Sequence, residues 1–331
     1  MKILIIGKNS YIGNHIDEWL TKYGHKVEQL DVLTEDWRAY DYSPYDAIVH
    51  VAGIVHRPDC QDWKLYKSVN TDLPVQIAKL FKASLGSSSS NGLEPSEAIE
   101  QIEQTKSLNS SSAALNNLNG SSAALNQPKV KTFVFFSTMG VYEAGKKLGP
   151  SVVDENTPLL NEGNSMYGRS KVLAEIGLSD LQDGKFNVAI VRPPSVYGKG
   201  CKGGYITGFK KIASMLPIIP RAYENACQSF IYIDNLSECV RLIVENNLSG
   251  AFCPQDDETP NANRLLEVIC KGIGKKYRSS RLLGWCLRLI SFVPIVKKAY
   301  GGIEYSRKLS DIPGMNYVVV PFEEGMRRTV N

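Results

Sequence analysis

The feature that most constrains the fold is a regular alternation of short apolar runs with segments of helical spacing, which begins at the N-terminus. The run KILIIG is followed by YIGNHIDEWLTKYG, in which Ile12, Ile16, Trp19 and Leu20 recur at helical spacing before Gly24. Later apolar runs include YDAIVHVAG, KTFVFFST and FNVAIVRPP, and helical patterns lie between them. Strands that are apolar along their whole length are typical of parallel sheets covered on both faces. The sequence therefore predicts an α/β fold with a doubly wound parallel sheet.

Two features divide the chain. Residues 84–127 are rich in Ser, Asn and Ala and contain the imperfect repeat LNSSSAALN and LNGSSAALN. Because such a composition supplies little core, we interpret this segment as a surface insertion with one short helix around SEAIEQIEQ and no catalytic role. The alternation weakens after about residue 195. We therefore predict a first domain over residues 1–192 and a smaller lobe over 193–331, from which residues 228–240, including QSFIYIDNL, return to the first sheet as a strand.

Composition and charge exclude several classes of protein. The net charge of +4 is too small to indicate nucleic-acid binding. The seven cysteines are dispersed and the four histidines lack metal-ligand spacing, so we expect reduced thiols in a cytoplasmic protein and no metal site. A strand-like N-terminus argues against a signal peptide. The longest apolar stretch, LLGWCLRLISFVPIV, carries Arg288 and Pro294, and it predicts a packed or interfacial helix pair rather than a membrane span.

The first turn, GKNSYIG, leads from a strand into a helix. Gly7 permits a sharp turn, Gly13 permits close packing of the helix, and Ser10 between them is small. Such a turn presents backbone N–H groups and the helix dipole to a pyrophosphate. The next strand ends in Asp31, at the spacing where a carboxylate binds adenosine ribose hydroxyls and repels a 2′-phosphate. The turn and Asp31 thus predict an NAD site, with an ordinary strand–turn–helix and a helix cap as the respective alternatives.

Tyr167 and Lys171 lie four residues apart on one face of a predicted helix. A phenol with an ordinary pKa of about 10 is a poor acid–base catalyst at neutral pH, and a neighbouring ammonium group lowers that pKa. Ser137 and Thr138 follow the strand FVFF, at the edge where ligands of doubly wound sheets bind. Either hydroxyl alone fits a role in satisfying the backbone at a strand end. Together with Tyr167 and Lys171 they predict a catalytic group.

These motifs, in their order along the chain, resemble those of extended short-chain dehydrogenases/reductases of the NAD-dependent epimerase/dehydratase family. The matching stretches are GKNSYIG, VHVAG, VNTDLP, STMGVY, YGRSK, VRPPSVYG and FIYIDNL. Within the family, the chain is most similar to bacterial enzymes of surface-polysaccharide biosynthesis that act on UDP-N-acetylhexosamine derivatives. The resemblance implies a Rossmann-type NAD-binding domain over 1–192 and a C-terminal lobe that is mainly substrate-binding.

The resemblance also implies site residues. The catalytic triad would be Thr138, Tyr167 and Lys171. Dinucleotide contacts would come from Gly7, Ser10, Tyr11, Ile12, Gly13, Asp31, Val51, Ala52, Gly53, Asn70, Ser137, Tyr167, Lys171 and Pro194. The nucleotide-sugar would face Met139, Ser195, Lys202, Gly204, Tyr205 and Gln228.

Several positions depart from the family pattern. Ser10 replaces the middle glycine of the turn, and Ser195 and Gly204 stand where Asn is common. Gln228 stands where an Arg often holds the UDP phosphates, and an amide does not replace a bidentate guanidinium. Either nucleotide affinity falls or Lys202 or Arg221 compensates.

The chemistry implied by the resemblance is hydride transfer at C4 of a nucleotide-sugar hexose. We predict a 4-ketoreductase that acts on a UDP-4-keto-6-deoxy-HexNAc, with a UDP-hexose or UDP-HexNAc 4-epimerase with tightly bound NAD as the first alternative. NADP is the alternative coenzyme, although Asp31 favours NAD. A non-catalytic dinucleotide sensor is the second alternative, although it would have no use for Tyr167 and Lys171 together.

The partners that we consider are a UDP-sugar, a second copy of the chain in a homodimer, and a weak peripheral contact with membrane. The membrane hypothesis rests on residues 271–298, which contain eight basic residues and no acidic ones, mixed with apolar residues. A solvated surface of the C-terminal lobe is the alternative for this segment.

Overall fold

The computed structural model describes residues 1–55, 62–86, 130–145, 148–160, 165–201, 204–290 and 292–331. Most of the inserted segment, with the helix expected around SEAIEQIEQ, lies outside these residues. The strands are β1 (Lys2–Ile6), β2 (Lys26–Leu30), β3 (Ala47–His50), β4 (Lys131–Phe136), β5 (Val152–Val153), β6 (Phe186–Val191), β7 (Ser195–Tyr197), β8 (Ile219–Pro220), β9 (Phe230–Tyr232), β10 (Gly250–Phe252), β11 (Ser279–Ser280) and β12 (Glu304–Tyr305).

The helices alternate with the strands in the first half of the chain and dominate the second half. They are α1 (Tyr11–Lys22), α2 (Trp63–Lys67), α3 (Leu73–Ala83), α4 (Met166–Ser179), α5 (Gly204–Met215), α6 (Ile233–Glu245), α7 (Ala262–Gly272), α8 (Arg281–Leu289), α9 (Pro294–Tyr300), α10 (Arg307–Ser310) and α11 (Phe322–Val330). A π-helical turn, Ser68–Asp72, joins α2 to α3, and a 3₁₀ turn, Met139–Val141, follows β4.

The main sheet has six parallel strands in the order β10-β6-β4-β3-β1-β2. Chain order reverses between β1 and β3, so the sheet is doubly wound and the carboxyl ends of its central strands share one edge. The predicted Rossmann-type α/β fold is confirmed.

The four central strands β1, β3, β4 and β6 are buried on both faces, which explains why they are largely apolar, whereas the edge strands β2 and β10 are partly exposed. On β1, Ile3 and Ile5 pack into the cluster beneath α1 and α6, whereas Leu4 and Ile6 pack into the cluster beneath α3 and α4. Successive side chains point to opposite faces of a strand, so a strand that is buried on both faces needs apolar residues at odd and at even positions.

The strand predicted within residues 228–240 does not join the main sheet. β9 pairs with β7 in a separate two-stranded sheet, and β10 occupies the edge position beside β6 instead. The segment returns to the first domain as a helix, because α6 follows β9 directly and packs against α1. The prediction of a returning strand was therefore wrong, while the division into two domains stays a prediction.

Candidate active site

The turn after β1 brings the predicted glycines against the loop after β3. Gly7 has φ +120°, and a Cβ there would lie 2.9 Å from the Ala52 backbone nitrogen and 2.9 Å from Val51 Cγ2. Ser10 is the N-cap of α1, and its Oγ accepts a hydrogen bond of 3.0 Å from the Gly13 N–H. A Cβ at Gly13 would lie 2.6 Å from Ser10 Oγ. The turn is therefore closely packed, and side chains at either glycine would crowd it.

This turn fits the pyrophosphate of a dinucleotide. The glycines keep the backbone uncovered at the N-terminus of α1, where N–H groups and the helix dipole favour an anion. The Ser10 oxygen accepts the capping hydrogen bond, which leaves its O–H proton available to donate to a phosphate oxygen. Ile12 is partly buried against the core beside the turn.

We expect Gly7→Ala to lower both the stability of the protein and its affinity for NAD. The substitution adds a Cβ against the Ala52 backbone at a φ that L-residues rarely adopt. We expect the free energy of unfolding to fall by about 2 kcal/mol, because backbone strain and crowding act together. Gly24→Ala is the matched control, because Gly24 has φ +84° but nothing within 4 Å of its added Cβ. Urea denaturation and coenzyme titration of both variants test this, and equal losses would contradict it.

Tyr11 begins α1 but is directed away from the turn. Its hydroxyl is buried without a hydrogen-bond partner among the described residues, and burial raises the pKa of this phenol. A Cβ at Gly198 would lie 2.5 Å from that hydroxyl. The side chain of Tyr11 therefore lies beneath the loop after β7.

Asp31 lies directly after β2, as predicted. Its Oδ1 accepts a hydrogen bond of 2.9 Å from the Leu33 N–H, which fixes the carboxylate in a local turn. Glu35 lies close by, since its side chain accepts from the Asp31 N–H at 3.0 Å. The Lys8 ammonium group lies 3.9 Å from Glu35, so two carboxylates and one ammonium group leave the end of β2 net acidic, which disfavours a ligand phosphate there.

Asn70 joins the loop after β3 to α4. Its Oδ1 accepts from Ile54 N at 2.8 Å, and its Nδ2 donates to Ile54 O at 2.9 Å and to Ser170 Oγ at 3.1 Å. A Cβ at Gly53 would lie 3.0 Å from Asn70 Oδ1 and 3.2 Å from Lys171 Nζ. Gly53, Asn70 and Lys171 thus meet at the carboxyl edge of the sheet.

Lys171 is 3% exposed, and its Nζ donates a hydrogen bond of 2.7 Å to the backbone oxygen of Phe136 at the end of β4. Burial lowers the pKa of this ammonium group to about 7, against a smaller opposite effect of the nearby Glu175 carboxylate. A lysine with such a pKa changes its charge near neutral pH.

Tyr167 lies one helical turn before Lys171, and the Thr138 side chain lies near its phenol. Burial raises the pKa of Tyr167, and the neighbouring Thr138 side chain opposes the rise. Thr138 also caps the 3₁₀ turn, since its Oγ1 accepts from Gly140 N at 3.1 Å. Met139 N donates to Pro193 O at 3.0 Å, so the turn lies beside buried Pro194. The structure therefore brings the three predicted triad residues to one edge of the sheet.

A buried ion pair that the sequence analysis missed supports this edge. Glu175 accepts a hydrogen bond from the Ser137 hydroxyl and binds Arg192 through two contacts of 2.6 and 3.1 Å. Arg192 also donates to the Tyr142 hydroxyl at 2.6 Å. Ser137, predicted to contact the dinucleotide, thus has its hydroxyl engaged by Glu175. The sequence feature that could have indicated this ion pair is the position of Glu175, four residues after Lys171 on the same face of one helix.

His50 also went unnoticed in the sequence. It is fully buried at the end of β3, and neither ring nitrogen has a hydrogen-bond partner among the described residues. Burial and then the charge of Lys171 lower its pKa to about 3. The imidazole is therefore neutral at physiological pH.

Three residues predicted to face the nucleotide-sugar form one hydrogen-bonded chain. Tyr205 donates to Gln228 Oε1 at 2.5 Å, and Gln228 Nε2 donates to Ser195 Oγ at 3.4 Å. Ser195 and Tyr205 line a cavity of about 450 Å³ between the loop after β7, α5 and the end of α11. Gly204 begins α5, and Lys202 lies outside the described residues. Arg221, the other residue considered as compensation for Gln228, is exposed and paired with Glu224.

Across the described ranges, no group of three or more His, Cys, Asp or Glu side chains could hold a metal ion. Within the same ranges, none of the helices has the length and apolar character needed to cross a membrane.

The fold and this edge of the sheet define a protein built to hold a dinucleotide beside a tyrosine and a buried lysine. The model of the NAD dependent epimerase/dehydratase family matches residues 3–252. The chain belongs to this family of enzymes, and the resemblance seen in its motifs is confirmed.

Individual relatives are distant. A UDP-glucose 4-epimerase of Lactobacillus helveticus is 28% identical over 186 residues, which cover 56% of this chain and 48% of the relative. The chain spans about half the length of the curated relatives that it matches. Among solved structures, UDP-glucuronic acid 4-epimerase from Bacillus cereus, in complex with NAD, has 17% identity and a TM-score of 0.63, with 100% and 96% of the two chains covered. A dTDP-4-dehydrorhamnose reductase from Yersinia enterocolitica has 14% identity and a TM-score of 0.62, with 99% and 98% covered.

Proposed function

We propose that this protein binds NAD at the carboxyl edge of its sheet and catalyses oxidation or reduction at C4 of a UDP-sugar. The observation that carries the proposal is the placement of Tyr167. Its phenol lies near the Thr138 side chain and one helical turn from Lys171, which is buried against Gly53 and Asn70. These groups lie where ligands of doubly wound sheets bind.

The turn formed by Gly7, Ser10 and Gly13 would hold the pyrophosphate, and Asp31 would bind the adenosine ribose. Lys171 would hold the second ribose, and Asn70, whose amide is engaged by Ile54 and Ser170, would lie near it, with Pro194 beside the nicotinamide. Bound NAD would supply the acceptor or donor of a hydride at the sugar C4. The acidic end of β2 supports NAD over NADP, because a 2′-phosphate would face Asp31 and Glu35.

The side chains at the carboxyl edge of the sheet would carry out the acid–base chemistry. Tyr167 would move a proton at the sugar O4, and Thr138, which lies near the same phenol, would orient that oxygen. Burial alone leaves the phenol too weak an acid, because it raises the pKa of Tyr167. A protonated Lys171 near the bound sugar and coenzyme would stabilise the phenolate and offset this effect.

The net reaction that we propose is reduction of a UDP-4-keto-6-deoxy-HexNAc during cytoplasmic synthesis of surface-polysaccharide precursors. Its support is the resemblance carried by STMGVY, RPPSVYGKGCKGGY and IYIDNL. The fold is also similar to that of a dTDP-4-dehydrorhamnose reductase, so a reductase activity is compatible with this fold. The hydrogen-bonded residues Tyr205, Gln228 and Ser195 would face the UDP-sugar beside the cavity that Ser195 and Tyr205 line.

A 4-epimerase with tightly bound NAD is the second candidate, because the curated relatives carry the name UDP-glucose 4-epimerase. The same residues serve both reactions. In the reductase the coenzyme is consumed, whereas in the epimerase it is regenerated in each turnover.

Absorbance of reduced nicotinamide separates the two candidates. The purified protein is mixed with a UDP-4-keto-6-deoxy-HexNAc and either NADH or NADPH. We expect stoichiometric loss of absorbance, faster with NADH. No loss, with interconversion of UDP-GlcNAc and UDP-GalNAc in the absence of added coenzyme, would identify the epimerase. The absence of both reactions would overturn the proposal.

A further inference from the structure

The outward face of α8 and the residues after it form an exposed apolar surface. The relative exposures are 72% for Leu282, 60% for Trp285, 63% for Leu289 and 72% for Phe292. Together with Ile290, which is 46% exposed, these residues are called the α8 patch. Single exposed apolar residues are ordinary on protein surfaces, but a contiguous group of large ones marks an interaction site.

The orientation of α8 explains why this face is exposed. Gly284 is buried on the opposite side, and a Cβ there would clash with the Arg221 backbone. Leu287 packs against the core, and the Arg288 guanidinium lies 5.5 Å from the centre of the Tyr223 ring. The helix is therefore seated by Gly284 and Leu287, and this seating turns Leu282, Trp285 and Leu289 outward.

A second exposed apolar segment precedes β8. Met215, Leu216 and Ile218 are 68%, 38% and 41% exposed and lead directly into β8. β8 pairs in parallel with β11, which runs directly into α8. The segment therefore lies beside the residues that precede β11, where Lys275 Nζ donates to Leu216 O at 2.9 Å.

The surroundings of the patch are basic. Residues 271–298 contain eight basic residues and no acidic residue. The nearby carboxylate of Glu224 is already paired with Arg221. Among the described side chains of the segment, Lys276, Arg278, Arg281, Arg288 and Lys297 are exposed, and Lys271 is exposed but pairs with Glu323.

We propose that the α8 patch docks on the surface of an anionic lipid bilayer, with its apolar side chains inserted between headgroups and its basic residues on lipid phosphates and carboxylates. Trp, Phe and Leu on one helix face, bordered by Lys and Arg, are the features of helices that lie in a membrane interface. The basic border favours anionic over neutral lipids. This surface attachment needs no membrane-crossing helix, and it is independent of the reaction proposed for the site.

Charge argues against a second copy of the chain as the occupant. A two-fold dimer through this face would bring Arg278, Arg281 and Arg288 of both copies into one interface. Like charges in an interface are unfavourable unless acidic residues separate them, and the segment supplies none. A surface of anionic lipids complements the basic border instead.

Co-sedimentation with vesicles tests the proposal. The full chain is mixed with vesicles of phosphatidylcholine alone or with added phosphatidylglycerol, at low and high salt. We expect at least tenfold more bound protein on the anionic vesicles, decreasing with salt. The double variant Trp285→Gln/Leu289→Gln should show at least a tenfold decrease in bound protein, whereas Val152→Gln, which changes an exposed apolar residue on β5, should bind as the wild type does.

Trp285 also reports the depth of insertion. Its fluorescence should shift to the blue and be quenched by bromine-labelled acyl chains, and Trp285→Phe should bind equally well but lose both signals. Arg278→Gln/Arg281→Gln should reduce the preference for anionic lipid. Circular dichroism and coenzyme binding verify that each variant is folded.

Two results would overturn the proposal. One is binding that is absent or unaffected by the Trp285 and Leu289 substitutions. The other is a dimer in sedimentation velocity that these substitutions dissociate, which would identify the patch as a contact between copies.

Discussion

Tyr167→Phe is expected to lower the turnover number by a factor of about 10² to 10⁴, the range usual for loss of a general acid–base group. The substitution removes only the hydroxyl near Thr138, and it leaves the ring and α4 in place. Coenzyme affinity should remain close to that of the wild type, because Gly7, Gly13 and Asp31 are unchanged. Steady-state kinetics together with NAD titration measure the two effects separately.

Tyr23→Phe is the matched control for this variant. Tyr23 is 45% exposed and packs on Trp19 at the end of α1, so its hydroxyl should not affect turnover. Thr138→Val should give a smaller loss than Tyr167→Phe, because it removes the orienting group and keeps the phenol. If Tyr167→Phe retained full turnover, the catalytic role would be wrong, and NAD binding without activity would favour the dinucleotide sensor.

Lys171→Met is expected to abolish activity and yet to stabilise the coenzyme-free protein at neutral pH. Burial lowers the pKa of Lys171 to about 7, from a usual value of 10.5. Between these two values the unfolded chain binds more protons than the folded one, so the wild-type free energy of unfolding rises with pH across this window. Below about pH 7 the full penalty applies, at about 1.4 kcal/mol for each unit of pKa difference. Methionine has no charge to bury and removes the penalty.

Urea denaturation at pH 6.5 and pH 10 measures this effect. The stability advantage of Lys171→Met should be several kcal/mol at the lower pH and should shrink at the higher pH. Lys26→Met is the control, because Lys26 has a side chain that is 74% exposed. An advantage of Lys171→Met that does not change with pH would show that packing, and not charge burial, determines it.

The main sheet and its ligand edge could be predicted because local pattern alone encodes them. A buried parallel strand needs apolar residues at odd and at even positions, and KILII and KTFVFF have them at both. Gly7, Ser10 and Gly13 are predictable for a similar reason, because one turn needs these small residues at fixed spacing. Tyr167 and Lys171 share a face through helical spacing, and the motif order along the chain is sufficient to identify the family.

Contacts between distant segments could not be predicted in this way. The pairing of β9 with β7, in place of a return to the main sheet, depends on β10 occupying the edge beside β6. The ion pair of Glu175 with Arg192 joins a helix to the end of a strand, and the chain of Tyr205, Gln228 and Ser195 joins three separate segments.

The sequence by itself thus determined the doubly wound sheet, because periodicity acts within a single element, and it determined the family through the order of motifs along the chain. The residues of the ligand edge were predicted from short spacings and from the family resemblance. Only the tertiary structure decided the charge state of Lys171, the engagement of Ser137 by Glu175 and the exposure of the α8 patch. Each of these depends on which neighbours remove water from a side chain or leave it in water, and packing between elements fixes those neighbours.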